Sequence, residues 1–288
     1  HALLEKKQKE LVDLREEVAE CSDRYPSGSM CNCRVNNRGA SFIHSYGKKN
    51  QQQRYKPDFK GGSMMELKAV KISRNFMRQS GQSNFFVAVK ETDFILTGCT
   101  LTEITGRSGS GKSTFLNMMA GLLAPTTGMV LLDGTDLYQM EDEQRSRLRN
   151  QHIGIIPQGQ TGLSSLTVLE NVKLPFLLYD DRDNMDQAAL ELMERVDILS
   201  LKDAYPNELS GGELRRLAIA RALIRRPEIL LADEPTGDLD DENTHVILRL
   251  LREYADEGGS VLLITHEREA AEYADRHFRM DNGVLTEI

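Results

Sequence analysis

One eight-residue run constrains this chain more than any other feature: Gly106-Arg107-Ser108-Gly109-Ser110-Gly111-Lys112-Ser113 fits the pattern G-x-x-x-x-G-K-[ST]. It follows the strand-like Leu101 to Thr105 and precedes the helix-like Thr114 to Leu123, which is the context that spacing requires. Glycines let the backbone curl until successive N–H groups face phosphate oxygens, and the start of a helix adds the positive end of its dipole. Lys112 is then placed to reach the β- and γ-phosphates, and the Ser113 hydroxyl a magnesium ion. Gly106 through Thr114 are therefore expected to cradle the phosphates of a nucleotide such as ATP, in an α/β fold.

A second constellation lies about 120 residues downstream. Leu230-Leu231-Ala232-Asp233-Glu234-Pro235 ends a short apolar run with two acids, where open α/β sheets place their ligand chemistry. Asp233 is expected to hold Mg²⁺ through water, and Glu234 to polarise the attacking water as general base. Paired acids after a strand also occur as helix caps; the phosphate loop upstream favours the catalytic role. Leu209-Ser210-Gly211-Gly212-Glu213 opens the helix-like Leu214 to Arg225. Ser210 and Glu213 form an S-x-x-E capping box, and a glycine-rich helix start bearing a hydroxyl is also an anion site. Both roles can hold together at Ser210, Gly211 and Gly212.

Around these motifs the pattern is mixed. Alternation over Glu66 to Ile72 and Phe85 to Val89 predicts half-buried antiparallel strands. The apolar runs Glu228 to Ala232 and Val261 to Ile264, separated by helical segments, predict parallel strands covered on both faces. Residues 141–222 read as mainly helical, and Asp281-Asn282-Gly283 as a hairpin turn. The self-contained domain spans 64–288.

Residues 1–26 read as one amphipathic helix, with Leu4, Leu11 and Val18 at one heptad position and Lys7, Leu14 and Cys21 at the other. Fewer than three heptads leave it either a packed or solvated helix or one that pairs with a partner. Residues 27–63 read as a flexible basic arm that either sits in solvent or touches an acidic partner. Gly61-Gly62-Ser63 before Met64-Met65 looks like a linker joined to a translation start, and Ser27-Gly28-Ser29-Met30 has the same look. The first 63 residues thus read as foreign or partner-derived.

Charge divides at the same place. The net charge of -8 splits into +4 for residues 1–63 and -12 for the remainder, with no basic patch, which argues against nucleic-acid binding. No apolar run reaches the length of a membrane span, and no secretory pattern opens the chain. Four cysteines, Cys21, Cys31, Cys33 and Cys99, are too few for a disulfide framework and point to a reducing cytoplasm.

In chain order these motifs resemble those of the nucleotide-binding subunit of an ABC transporter, over about residues 65–288. Besides the phosphate loop, the two acids and the signature Leu209 to Glu213, Gln158 in Ile155-Ile156-Pro157-Gln158 is similar to the Q-loop glutamine. Asp238-Leu239-Asp240 resembles the D-loop, and His266 in Ile264-Thr265-His266-Glu267 the switch histidine. Asp233 to Asp240 and Leu166 to Val172 look like the lipoprotein-releasing, macrolide-export and cell-division branch. The resemblance implies a P-loop core with an antiparallel β subdomain and a helical signature subdomain. It implies two copies head to tail around two ATP, each nucleotide lying between the phosphate loop of one and Ser210-Gly211-Gly212 of the other. It also implies a transmembrane permease as partner, placing the subunit peripherally at the cytoplasmic face of the membrane. Gln158 would serve both metal and catalysis, His266 catalysis, and Phe76 stacking on adenine; the segment from the Q-loop to Tyr179 would pass motion to the permease. Leu174 to Leu178 are either that contact surface or core.

The chain departs from the family at Pro157, where an aromatic is usual, at Glu213 for the commoner glutamine, and at Glu103, for which the sequence offers no reason. A soluble DNA-repair relative would need a long coiled coil between phosphate loop and signature, and only about 100 residues separate them. Translation-factor relatives carry two such cassettes. An ATPase that signals through a membrane partner without moving substrate is the rival left standing.

Overall fold

Two kinds of strand pattern become two sheets. The computed structural model describes residues 65–77, 85–159, 162–179, 185–237 and 239–288. The expected helix at 1–26, the basic arm at 27–63 and Asp238 lie outside the described residues.

The antiparallel sheet contains β1 (Leu67–Met77), β2 (Phe85–Leu96), β4 (Thr127–Leu132) and β5 (Thr135–Asp136), in the order β2-β1-β4-β5. Strict alternation fails inside β1: Leu67, Ala69 and Ile72 are buried, not residue 71. The register against both neighbours shifts between Ala69 and Ser73, and Lys71 takes a left-handed φ of 48°. This bulge returns Ile72 to the core face by consuming one extra residue.

The larger sheet contains β3 (Leu101–Thr105), β6 (Ile153–Ile156), β7 (Ile229–Asp233), β8 (Ser260–Ile264), β9 (Arg276–Asp281) and β10 (Val284–Glu287). Its order is β10-β9-β3-β8-β7-β6, parallel except for the β9-β10 hairpin. Asn282 and Gly283 close that hairpin with φ of 46° and 78°, the paired positive values that a two-residue turn of this hand demands. Successive residues of β7 and β8 serve opposite faces. Ile229, Leu231, Leu262 and Ile264 join a core with the antiparallel sheet and helix α1 (Lys112–Met119), against which Leu148 of helix α2 (Asp142–His152) also packs. Leu230, Ala232, Val261 and Leu263 join a second core with helices α3 (Val168–Leu177), α4 (Met185–Arg195), α5 (Gly211–Leu223) and α6 (Asp241–Asp256).

Three local outcomes differ from expectation. The mainly helical stretch contains β6, whose four residues are too few for periodicity to separate strand from helix. Helix α1 stops at Met119 instead of running to Leu123: Gly121 turns left-handed with φ 67°, and the Tyr138 hydroxyl lies 2.7 Å from the carbonyls of both Met118 and Leu123. Burial pushes that hydroxyl well above its ordinary range, so it stays a donor to the helix end. Glu103 finds its reason in the neighbouring strand. It is buried opposite His277 of β9, whose Nδ1 lies 2.9 Å from Oε1.

Candidate nucleotide-binding site

The phosphate loop leaves the central strand β3 and enters α1, wedged between backbones that glycine alone can approach. A Cβ at Gly106 would come within 2.2 Å of the Met280 carbonyl oxygen, and one at Gly111, whose φ is 111°, within 2.2 Å of that of Ala88. The Gly283 N–H donates to the Ser110 carbonyl at 2.9 Å, so the β9-β10 turn braces one side of the loop while β2 braces the other. Lys112 is buried beneath the loop, its Nζ donating to the carbonyls of Gly106 at 2.7 Å and Arg107 at 3.2 Å.

The acids arrive from the next strand but one. Asp233 ends β7, hydrogen-bonded to Ser113 and buried. Burial pushes its carboxyl above the ordinary range; the Ser113 hydroxyl and the Lys112 charge oppose that rise, and the Glu234 charge adds to it. Its Oδ1 has no hydrogen-bond partner. Glu234 is also buried and takes a left-handed φ of 51°, a strained conformation for a residue with a side chain. The Glu234 N–H donates to the Ile264 carbonyl at 2.9 Å, which fixes that backbone beside the end of β8. There His266 Nδ1 stands 2.6 Å from Glu234 Oε2.

A cleft of about 810 Å³ opens over these groups. Gly106 to Gly109, Gly111 to Thr114, Gln158, Glu234 and His266 line it; Phe76 and Phe86 stand together at its wall, partners across the β1-β2 ladder. The Arg74 guanidinium lies 4.7 Å from the Phe76 ring centre. The sequence does not identify Phe86 as the residue opposite Phe76, because that pairing is set by the shifted register of β1 against β2. Arg215, another lining residue, carries no signal within its own helix.

Ser210, Gly211 and Gly212 do not line the cleft of their own chain. Ser210 caps α5: its Oγ accepts from the Glu213 N–H at 3.4 Å, while its own N–H and hydroxyl donate to Glu213 Oε2 at 2.7 Å. Those bonds hold the Glu213 carboxyl below its ordinary range. Asp240 caps α6 by accepting from the Asn243 N–H at 2.8 Å. Asn243 in turn accepts from Arg216 Nη1 at 2.9 Å, so the starts of α5 and α6 are joined.

Among the described residues no cluster of three His, Cys, Asp or Glu side chains could cage a metal. The unpartnered Asp233 Oδ1 and the Ser113 hydroxyl are an oxygen pair of the kind that holds Mg²⁺ when water and phosphate complete its shell.

A family model described as ABC transporter matches residues 89–237, a span that holds the phosphate loop, Gln158, the signature and both acids. The ABC transporter ATP-binding protein YtrE of Bacillus subtilis is 37% identical over 209 residues, covering 72% of this chain and 90% of its own. The lipoprotein-releasing system ATP-binding protein LolD of Shewanella oneidensis is 45% identical over 184 residues, covering 63% and 80%. Among solved structures, the dimeric MJ0796, a bacterial ABC transporter cassette, superimposes with a TM-score of 0.70 at 31% identity, covering 77% of this chain and 98% of its own. The same cassette is also solved as a dimer in a post-hydrolysis state bound to ADP and Pi. Likeness of that extent makes this chain a member of the ABC transporter family, an ATP-binding and ATP-hydrolysing subunit.

Proposed function

We propose that two copies close head to tail around two ATP and drive a membrane permease from its cytoplasmic face. One observation carries the reading: the cleft gathers the phosphate loop, Glu234 and His266, while Ser210 to Gly212 of the same chain stand outside it with their helix start exposed. A helix start of that kind suits the phosphate of a neighbour's nucleotide.

Each residue then has a defined task. Lys112 neutralises the β- and γ-phosphates, and Phe76 stacks on adenine, with Phe86 beside it. Glu234 accepts the proton of the attacking water; the His266 imidazole at Oε2 orients that carboxylate, leaving the other oxygen for water. Gln158 extends from the end of β6 toward the same reacting centre. Bound Mg²⁺, held by Asp233 and Ser113, would supply positive charge at the phosphate oxygens.

Four residues after the Q-loop suit a permease contact. Leu174, Pro175, Leu178 and Tyr179 border a groove of about 300 Å³ between α2 and α3, whereas Phe176 packs on the helical core. The segment therefore divides between the two roles left open by its sequence. Among the described residues no helix is long and apolar enough to cross a membrane.

The test is Glu234→Gln, which keeps the shape but removes the base. Nucleotide affinity should hold while turnover falls about a hundredfold, as loss of a general base predicts. An ATP-bound dimer should then accumulate and elute early in size-exclusion chromatography. Parental turnover would remove Glu234 as the base.

Asp233→Asn separates metal binding from stability. Because burial raises its pKa, the folded chain binds more protons than the unfolded one as pH falls toward the folded value, so ionised Asp233 subtracts stability at neutral pH and acidification relieves the loss. Without added nucleotide, the variant should melt about 2–4 °C higher near pH 7.5, the shift that roughly 1 kcal/mol gives a domain of this size. The gain should shrink in acid, and Mg²⁺-dependent turnover should be lost. A lower melting point at neutral pH would show that ionised Asp233 stabilises the fold.

A further inference from the structure

We infer that Arg215 is a positioning residue that ties helix α5 to the two loops carrying Gln158 and Glu234, so that the reacting groups are set only when the signature helix is docked. The inference rests on the roles proposed above for Gln158, Glu234 and Ser210.

Arg215 lies in the second turn of α5, five residues beyond Ser210, and is 7% exposed. Its Nη1 donates to the Gly159 carbonyl at 3.0 Å and its Nη2 to the Gly237 carbonyl at 3.4 Å. Gly159 follows Gln158 directly. Gly237 closes the turn that begins at Glu234, since its N–H donates to the Glu234 carbonyl at 3.2 Å. One guanidinium thus spans two loops that are 56 and 22 residues away in sequence from the arginine itself.

The choice of residue follows from geometry. A buried cation is costly unless its donors are satisfied, and a planar fork can serve two acceptors on separate strands of backbone where an ammonium on a flexible stem holds them poorly. Neutral carbonyls are suitable partners for a joint that must re-form in each cycle. They hold the loops in place, and no carboxylate locks the charge against the movement of the helix. Arg216, the next residue, points elsewhere and bonds Asn243 at the start of α6. Neighbouring residues of one helix turn therefore grip different parts of the site, which is expected because residues i and i+1 do not share a face.

The test uses the full chain with Arg215→Gln, Arg215→Lys and, as reference, Glu234→Gln, measured by steady-state ATP hydrolysis and thermal melting. Both Arg215 variants should lose at least about tenfold in kcat, with KM for ATP within about twofold of the parent and a cooperative melt retained. Lysine failing as glutamine does identifies the fork, rather than the charge, as what matters. Parental kcat in a folded Arg215→Lys overturns the tie. So does a rise in KM that accounts for the whole loss, which would make Arg215 a nucleotide contact, or failure of both variants to fold, which would make it purely structural. Parental turnover in Glu234→Gln, by contrast, would overturn the assignment of the base, and a kcat loss confined to the Arg215 variants would then be credited to some other group on these loops and count against the tie as stated.

Discussion

Lys112→Ala is expected to weaken ATP binding about a thousandfold while leaving the fold intact. Lys112 is the buried cation inside the phosphate loop, and removing one partner of a desolvated charge pair costs about 2–5 kcal/mol. The structure says why stability should survive. The two acceptors that Nζ leaves behind, the carbonyls of Gly106 and Arg107, border an open cleft where water can replace the amine. The loop itself is held by its glycine contacts and by the Gly283 N–H, none of which involves the lysine side chain. Titration of the variant with a fluorescent ATP analogue, alongside a melting curve, checks both halves. Affinity within threefold of the parent would remove the phosphate-loop assignment.

Ser210→Arg should bring hydrolysis down to background and yet leave ATP binding by a single chain unchanged. Ser210 is outside its own cleft, so the defect must act on nucleotide held by the second copy. A bulky cation at a helix N-terminus opposes the dipole and fills the space where a phosphate would sit. Capping alone predicts something else: loss of the Ser210 cap costs about 1 kcal/mol, with activity kept in whatever remains folded. Mixing the two variants decides the matter. A dimer of one Ser210→Arg chain and one Lys112→Ala chain retains one intact composite site, so random pairing should restore about a quarter of parental turnover. No recovery from folded, pairing variants would remove the head-to-tail arrangement.

What the sequence revealed and what it withheld follow from the range of each constraint. The phosphate loop was legible because its demands are local: Gly111 needs a positive φ and a close backbone neighbour whatever surrounds it. The Ser210 cap was legible for the same reason, since both partners lie within one helix turn. Glu103 was opaque because its explanation, His277, lies 174 residues away and becomes a neighbour only through the parallel pairing of β3 with β9. The bulge in β1 was hidden as well, for a register shift leaves no residue type behind it. Arg215 was the least legible, because its partners are backbone carbonyls, which every residue possesses.

The bracing of the phosphate loop by the β9-β10 turn bears on how the protein is made. A ribosome delivers the chain from its N-terminus at about 5–20 residues per second, and the loop emerges roughly 170 residues ahead of Met280 and Gly283. Strand β3 waits equally long for β8 and β9, the neighbours on either side of it. Until that late segment is synthesised, the loop has neither its buttress nor its sheet. A nascent chain that has not yet reached Gly283 lacks the contacts that shape the loop, so nucleotide binding is expected only after β9 and its turn have been synthesised.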